Sequence, residues 1–132
     1  MAATRSGRFI MGLSAVLMVA AGAILLFVPE QVAAAFHRDA YPRELTSVLA
    51  AVYVGMGYGN WLAKGQLIGG IYGRPLCVGN FFHAMVGALA LIGALWNGVP
   101  SLALLITCAV YALFALLFAW LLLRMPPVVN RL

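Results

Sequence analysis

The side chains with acid–base, redox or metal-binding chemistry are few: His37 and His83, Cys77 and Cys108, and the carboxylates Glu30, Asp39 and Glu44. A metal site needs three or four converging His, Cys or carboxylate ligands, and a membrane haem takes two axial ones. These spacings assemble neither set within one chain, so no metal and no cofactor is expected, with a haem shared between two copies through His83 as the alternative. There is no Cys-x-x-Cys pair, which argues against disulfide exchange chemistry. All three acids fall within residues 30–44. Proton- and sodium-coupled exporters usually hold a carboxylate inside an apolar span, and none is present here. No catalytic constellation is evident, and the chain is not expected to be an enzyme.

What remains is a set of neutral polar groups, and the elements that carry them are set by an apolar chain. Of 132 residues 65% are apolar and 8% charged, with a mean hydropathy of +1.04, which excludes a water-soluble globule. Four runs lack any Asp, Glu, Lys or Arg: residues 9–28, 45–63, 76–96 and 101–123. Each approaches the roughly 20 residues that one bilayer crossing takes. The prolines sit outside or at the edges of these runs, where a missing N–H breaks no helical hydrogen bond. The expected fold is therefore all-α, a single domain forming an up-down bundle of four transmembrane helices. Residues 30–36, after the first run, read as a short interfacial helix. Asn97-Gly98-Val99-Pro100 predicts a tight turn joining antiparallel neighbours, and residues 64–75, with four glycines, predict a flexible loop.

Charge sets the expected orientation. Arg5, Arg8, Lys64, Arg74, Arg124 and Arg131 fall on one side, against Arg38 and Arg43 on the other, where Glu30, Asp39 and Glu44 offset them. The positive-inside rule then places both termini in the cytoplasm, in a cell membrane of bacterial inner-membrane type. Topology and anionic lipid headgroups account for the net charge of +5, and no nucleic-acid partner is required. Trp61, Trp96 and Trp120 lie near run ends, as interfacial anchors do. A signal-peptide reading of the N-terminus, with Ala33-Ala34-Ala35 as cleavage site, conflicts with an apolar stretch longer than the usual ~7–15 residues.

Counting 1.5 Å per residue from the cytoplasmic ends puts Asn60 about 6 Å deep, Ser14, Tyr58 and Asn80 about 9 Å, and His83 about 13–14 Å. Polar groups from three helices thus share a layer and are expected to face inward, because lipid offers them no partner. Asn80, His83 and Gly87 follow one helical face, with Gly79 beside them. Two roles compete for the layer. It is either interhelical glue, with Gly55 and Gly59 permitting close approach, or the lining of a cytoplasm-facing cleft for a quinone headgroup, lipid headgroup or small polar solute. In the second role His83 and Asn80 serve as hydrogen-bond donors. Tyr111, about 20 Å along the fourth helix, lies within reach of His83 if it faces inward. Cys77 and Cys108 fall near opposite membrane faces and are expected to be unpaired, buried small hydrophobes. The glycine-rich segment 55–61 is read first as a self-association seam.

The order of parts resembles the DoxX-like group of small four-helix bacterial membrane proteins. The resemblance covers most of the chain and rests on four features: Leu26-Phe27-Val28-Pro29-Glu30 closing the first run, the Ala-rich segment 31–36, Gly55-Met56-Gly57, and Tyr72-Gly73-Arg74-Pro75. It implies a multi-pass inner-membrane protein, sometimes associated with quinone-linked redox or thiol-stress systems, and carries over no catalytic residue. The reading is an accessory or scaffold subunit that associates with itself or with a larger membrane complex. The alternatives are a small-ligand or quinone-binding accessory built on the polar layer, and a small ion channel using Asn60, Asn80 and the Phe81–Phe82 pair.

Overall fold

The computed structural model describes residues 5–66, 73–98 and 101–124. They form five helices and, among the described residues, no strand: α1 (Arg5–Phe27), α2 (Pro29–Ala35), α3 (Arg43–Ala63), α4 (Gly73–Asn97) and α5 (Leu102–Leu123). Prolines set three of the starts. Pro29 pushes Val28 out of helical conformation, ending α1 and opening α2 as its first residue. Pro42 precedes α3, and Pro75 lies within the first turn of α4, where its missing N–H costs nothing. The start of α5 is capped by Ser101, whose Oγ accepts the Leu104 N–H at 3.1 Å.

Three helices begin earlier than the apolar runs predict, α1 at Arg5, α3 at Arg43 and α4 at Gly73. Backbone hydrogen bonding does not require apolar side chains, so a helix continues past the hydrocarbon-compatible stretch that the sequence marks. The expected loop is accordingly shorter, and its residues 67–72 lie outside the described residues, as do Val99 and Pro100 of the expected turn. Pro126, Pro127 and Arg131 lie outside them too.

Helix α2 ends in a Schellman motif. The His37 N–H donates to the Ala34 carbonyl at 3.0 Å and the Arg38 N–H to the Ala33 carbonyl at 2.9 Å, closing the last carbonyls of the helix. His37 adopts φ 55°, a left-handed conformation that glycine usually supplies.

The long helices pack as two antiparallel pairs, α1 with α3 and α4 with α5, which touch each other far less than partners within a pair do. Small residues join the first pair. A Cβ on Gly22 would stand 2.7 Å from Val54 Cγ2 and 2.8 Å from the Ala50 oxygen, and one on Gly57 would stand 2.8 Å from Val19 Cγ2 and 2.9 Å from the Ala15 oxygen. The close approach therefore runs through Gly22 and Gly57. The expectation that Gly55 and Gly59 make it is corrected: Gly55 has open space around it and Gly59 has Leu76 Cδ2 at 3.8 Å as its nearest neighbour. Gly57 is two residues from each, about 200° around the helix. Gly79 also meets open space, whereas Gly87 lies against the Tyr111 ring.

At the end bearing Arg5 and Arg124, both pairs meet in a core of Ile10, Met11, Ala63, Cys77, Phe118 and Leu121. Helices α1, α4 and α5 are each long and apolar enough to cross a membrane. Helix α3, at 21 residues, is long enough, but Thr46, Ser47, Tyr53, Tyr58, Asn60 and its glycines dilute its apolar character, and it is not among those three.

Candidate functional site

Directly above this core the two pairs are tied by amides. Asn60 Nδ2 donates to Asn80 Oδ1 at 2.8 Å, and Asn80 Nδ2 donates back to Asn60 Oδ1 at 2.6 Å. Rotating one amide alone by half a turn would set donor against donor and acceptor against acceptor, so the reciprocal pairing fixes each orientation relative to the other. The second Asn60 hydrogen faces Ser14 Oγ at 3.1 Å and Met18 Sδ at 3.6 Å, and the second Asn80 hydrogen goes to the Leu76 carbonyl at 2.8 Å. Ser14 Oγ in turn donates to the Met11 carbonyl at 2.9 Å. Ser14, Asn60 and Asn80 are at most 2% exposed, and this closed network satisfies their donors. Tyr58, 62% exposed, is turned away from the cluster, because two residues of helix separate it by about 200° from Asn60.

One turn along α4 from Asn80 stands His83. Its Nε2 lies 3.3 Å from the Tyr111 hydroxyl on α5, and that hydroxyl is hydrogen-bonded to the Tyr53 hydroxyl on α3. The His83 ring meets Tyr53 edge-on, with centroids 5.7 Å apart, and lies 5.4 Å from Tyr111. Gly87 makes this possible, since the Tyr111 ring occupies the space where a Cβ would be. Tyr53 was missed by sequence reasoning, although it precedes Asn60 by seven residues, two full turns on the same face of α3. Tyr111 joins His83 as the sequence allowed.

A cavity of about 320 Å³ lies between the two pairs. Asn80, Ser14 and Phe118 form its floor, the Tyr53–Tyr111–His83 chain forms one wall, and α1 and α5 supply apolar sides that include Met18, Ala21 and Phe114. No Asp, Glu, Lys or Arg lines it. Leu17 and Ile24 of α1 and Ile106 and Val110 of α5 line it while remaining partly exposed, so the opening lies sideways, between α1 and α5. The expectation of a cytoplasm-facing cleft, open at the end where α1 starts and α5 stops, is thus corrected. The amide pair and the packed core beneath it close that end, and both asparagines are engaged with each other instead of facing a solute.

The other candidate groups stand apart from the cavity. His37 belongs to the connection between α2 and α3, and Cys77 and Cys108 are buried free thiols near opposite ends of the bundle. Among the described residues no three His, Cys, Asp or Glu side chains converge on a point that would hold a metal. Lys64 lies over the Trp61 ring, 2.7 Å from its centroid, and Arg124 lies over Trp120 at 4.3 Å, both at the end of the bundle where α1 starts and α5 stops. No protein-family model, curated protein or solved structure matches this chain, and its functional reading rests on the geometry of its own residues.

Proposed function

We propose that this chain is a four-crossing membrane protein that binds a small lipid-soluble molecule in the cleft between its helix pairs. The observation that carries the reading is the cavity itself: about 320 Å³, apolar along α1 and α5, open on its side, and furnished with one short polar chain. Small-molecule pockets have this character, roughly 300–1,000 Å³ of mostly apolar wall with a few placed polar groups. A side opening between two apolar helices suits a ligand that arrives from the hydrocarbon layer.

Helix α3 serves as the fourth crossing. It runs antiparallel along α1, with its small residues against those of α1, and it hides Asn60 from lipid. The basic residues Arg5, Arg8, Lys64, Arg74 and Arg124 gather at one end, which supports cytoplasmic termini. Extracting the purified protein with organic solvent and analysing the extract by mass spectrometry tests the reading. The expected result is an enriched lipid-soluble compound in the wild type that falls to background in Ala21→Phe, whose ring fills the cleft. Equal amounts from a correctly folded Ala21→Phe protein would refute it.

A second reading, self-association through α3, is favoured by a separate observation. Gly55 and Gly59 find little or nothing to pack against within the chain, and they share an exposed face with Val48, Val52 and Leu62. Such a face suits close contact with a second helix. Native mass spectrometry of Gly55→Leu tests this, and an unchanged oligomer distribution would count against it.

A further inference from the structure

The hydrogens on the cavity wall can be counted. Ser14 donates to the Met11 carbonyl, Asn80 donates to Asn60 and to the Leu76 carbonyl, and Thr107 donates to the Ala103 carbonyl at 2.8 Å. Every side-chain donor outside the Tyr53–Tyr111–His83 chain is therefore engaged within the protein. The chain differs. With a neutral imidazole it owns three hydrogens, one on each hydroxyl and one on the ring, but contains only two hydrogen bonds.

One hydrogen is left over whichever way the chain points. If Tyr53 donates to Tyr111 and Tyr111 to Nε2, the ring hydrogen sits on Nδ1, which bonds no described residue. If Nε2 donates to Tyr111 and Tyr111 to Tyr53, the Tyr53 hydrogen is free; if Tyr53 and Nε2 both donate to the Tyr111 oxygen, the Tyr111 hydrogen is free. In a hydrocarbon setting an unpaired donor is costly, so this wall is complementary to an acceptor. A charged ligand is disfavoured by the same setting, because no side chain of opposite charge lines the cavity.

We propose that the cleft selects an uncharged, lipid-soluble ring compound through a single acceptor oxygen, a ring ketone being its simplest form, held by the spare hydrogen of the Tyr53–Tyr111–His83 chain. The proposal rests on the reading of the cleft as a ligand site. The ring of such a ligand would lie among Tyr53, His83, Tyr111 and Phe114, and its remainder would extend between α1 and α5 into lipid.

The test uses the full chain in lipid nanodiscs, photolabelled with benzophenone and challenged with three matched competitors: fluorenone, fluorene, which has CH2 in place of the carbonyl, and fluorene-9-carboxylate. The expected result is saturable labelling at cleft residues such as Met18. Fluorenone should displace the label at a concentration roughly threefold to tenfold lower than fluorene, the worth of one neutral hydrogen bond, and the carboxylate should not displace it. The triple variant Tyr53→Phe, Tyr111→Phe, His83→Phe removes every hydrogen of the chain and should erase the advantage of fluorenone. If that variant does not fold, the wild-type competition series decides alone. Saturable labelling with fluorene as potent as fluorenone, or with the carboxylate competing, would overturn the ligand class and leave the cleft reading standing. Absence of saturable labelling in the cleft by the probe would overturn both.

Discussion

Replacing Asn80 with leucine removes one half of a buried amide pair, and the structure sets what is left behind. Asn60 loses its only donor to Oδ1 and its acceptor at 2.8 Å, while being 1% exposed and unable to reach water. Leaving a buried polar group unmatched costs about 1–3 kcal/mol, more than the average of about 0.6 kcal/mol measured for interhelical hydrogen bonds in membranes. Asn60→Leu should cost a similar amount, because it strands Asn80 Oδ1 in the same way. The double variant strands neither amide, and Ser14 keeps its bond to the Met11 carbonyl. Its cost should therefore fall below the sum of the single costs by about 1–3 kcal/mol, the coupling expected for residues in direct contact. Reversible unfolding in mixed micelles by titration with SDS, followed by tryptophan fluorescence, measures all four corners of the cycle. Strict additivity would show that the two amides do not face each other, and the account of the cavity floor would fail with it.

Three further outcomes follow, two from close contacts and one from backbone conformation. Gly87→Ala places a methyl group in the Tyr111 ring, so ligand binding should be lost together with about 1–3 kcal/mol of stability, whereas Gly79→Ala, which meets open space, should leave both unchanged; unfolding titration and benzophenone labelling read the difference. Gly57→Ala drives a methyl group towards the α1 backbone at Ala15 and should destabilise by about 1–3 kcal/mol, while Gly55→Ala should not destabilise the isolated chain in the same titration. His37→Gly relieves a left-handed backbone at φ 55° and should raise stability by up to about 1 kcal/mol, with retention of α2 checked by circular dichroism.

The polar floor was largely legible from residue counts, and its limits have a geometric cause. Depth follows from 1.5 Å of rise per residue, and this brought Ser14, Asn60 and Asn80 to one level. Depth carries no information about azimuth. Tyr58 shares that level yet faces outward, and among the α3 glycines the one that meets α1 is Gly57, out of phase with Gly55 and Gly59. The Tyr53 contribution could have been read from its seven-residue spacing to Asn60. The Tyr111 contribution could not, because its orientation depends on α5 packing against Gly87.

Composition and punctuation alone determined that this chain is helical and predominantly apolar, and which segments form its long helices, though three of these begin two to four residues before the apolar runs do. These are properties of single segments, governed by backbone geometry, proline and hydration. The short turn before α5 foretold that α4 and α5 pair, but that α1 pairs with α3, and so where the cavity opens, was decided only by the tertiary structure. Lipid is as apolar as a leucine side chain, so no difference in hydrophobicity tells α1 to prefer α3 over α5. The choice falls to shape, to Gly22 and Gly57 meeting small partners and to Tyr111 fitting over Gly87, and such complementarity between faces distant in sequence is expressed only when the helices are packed together.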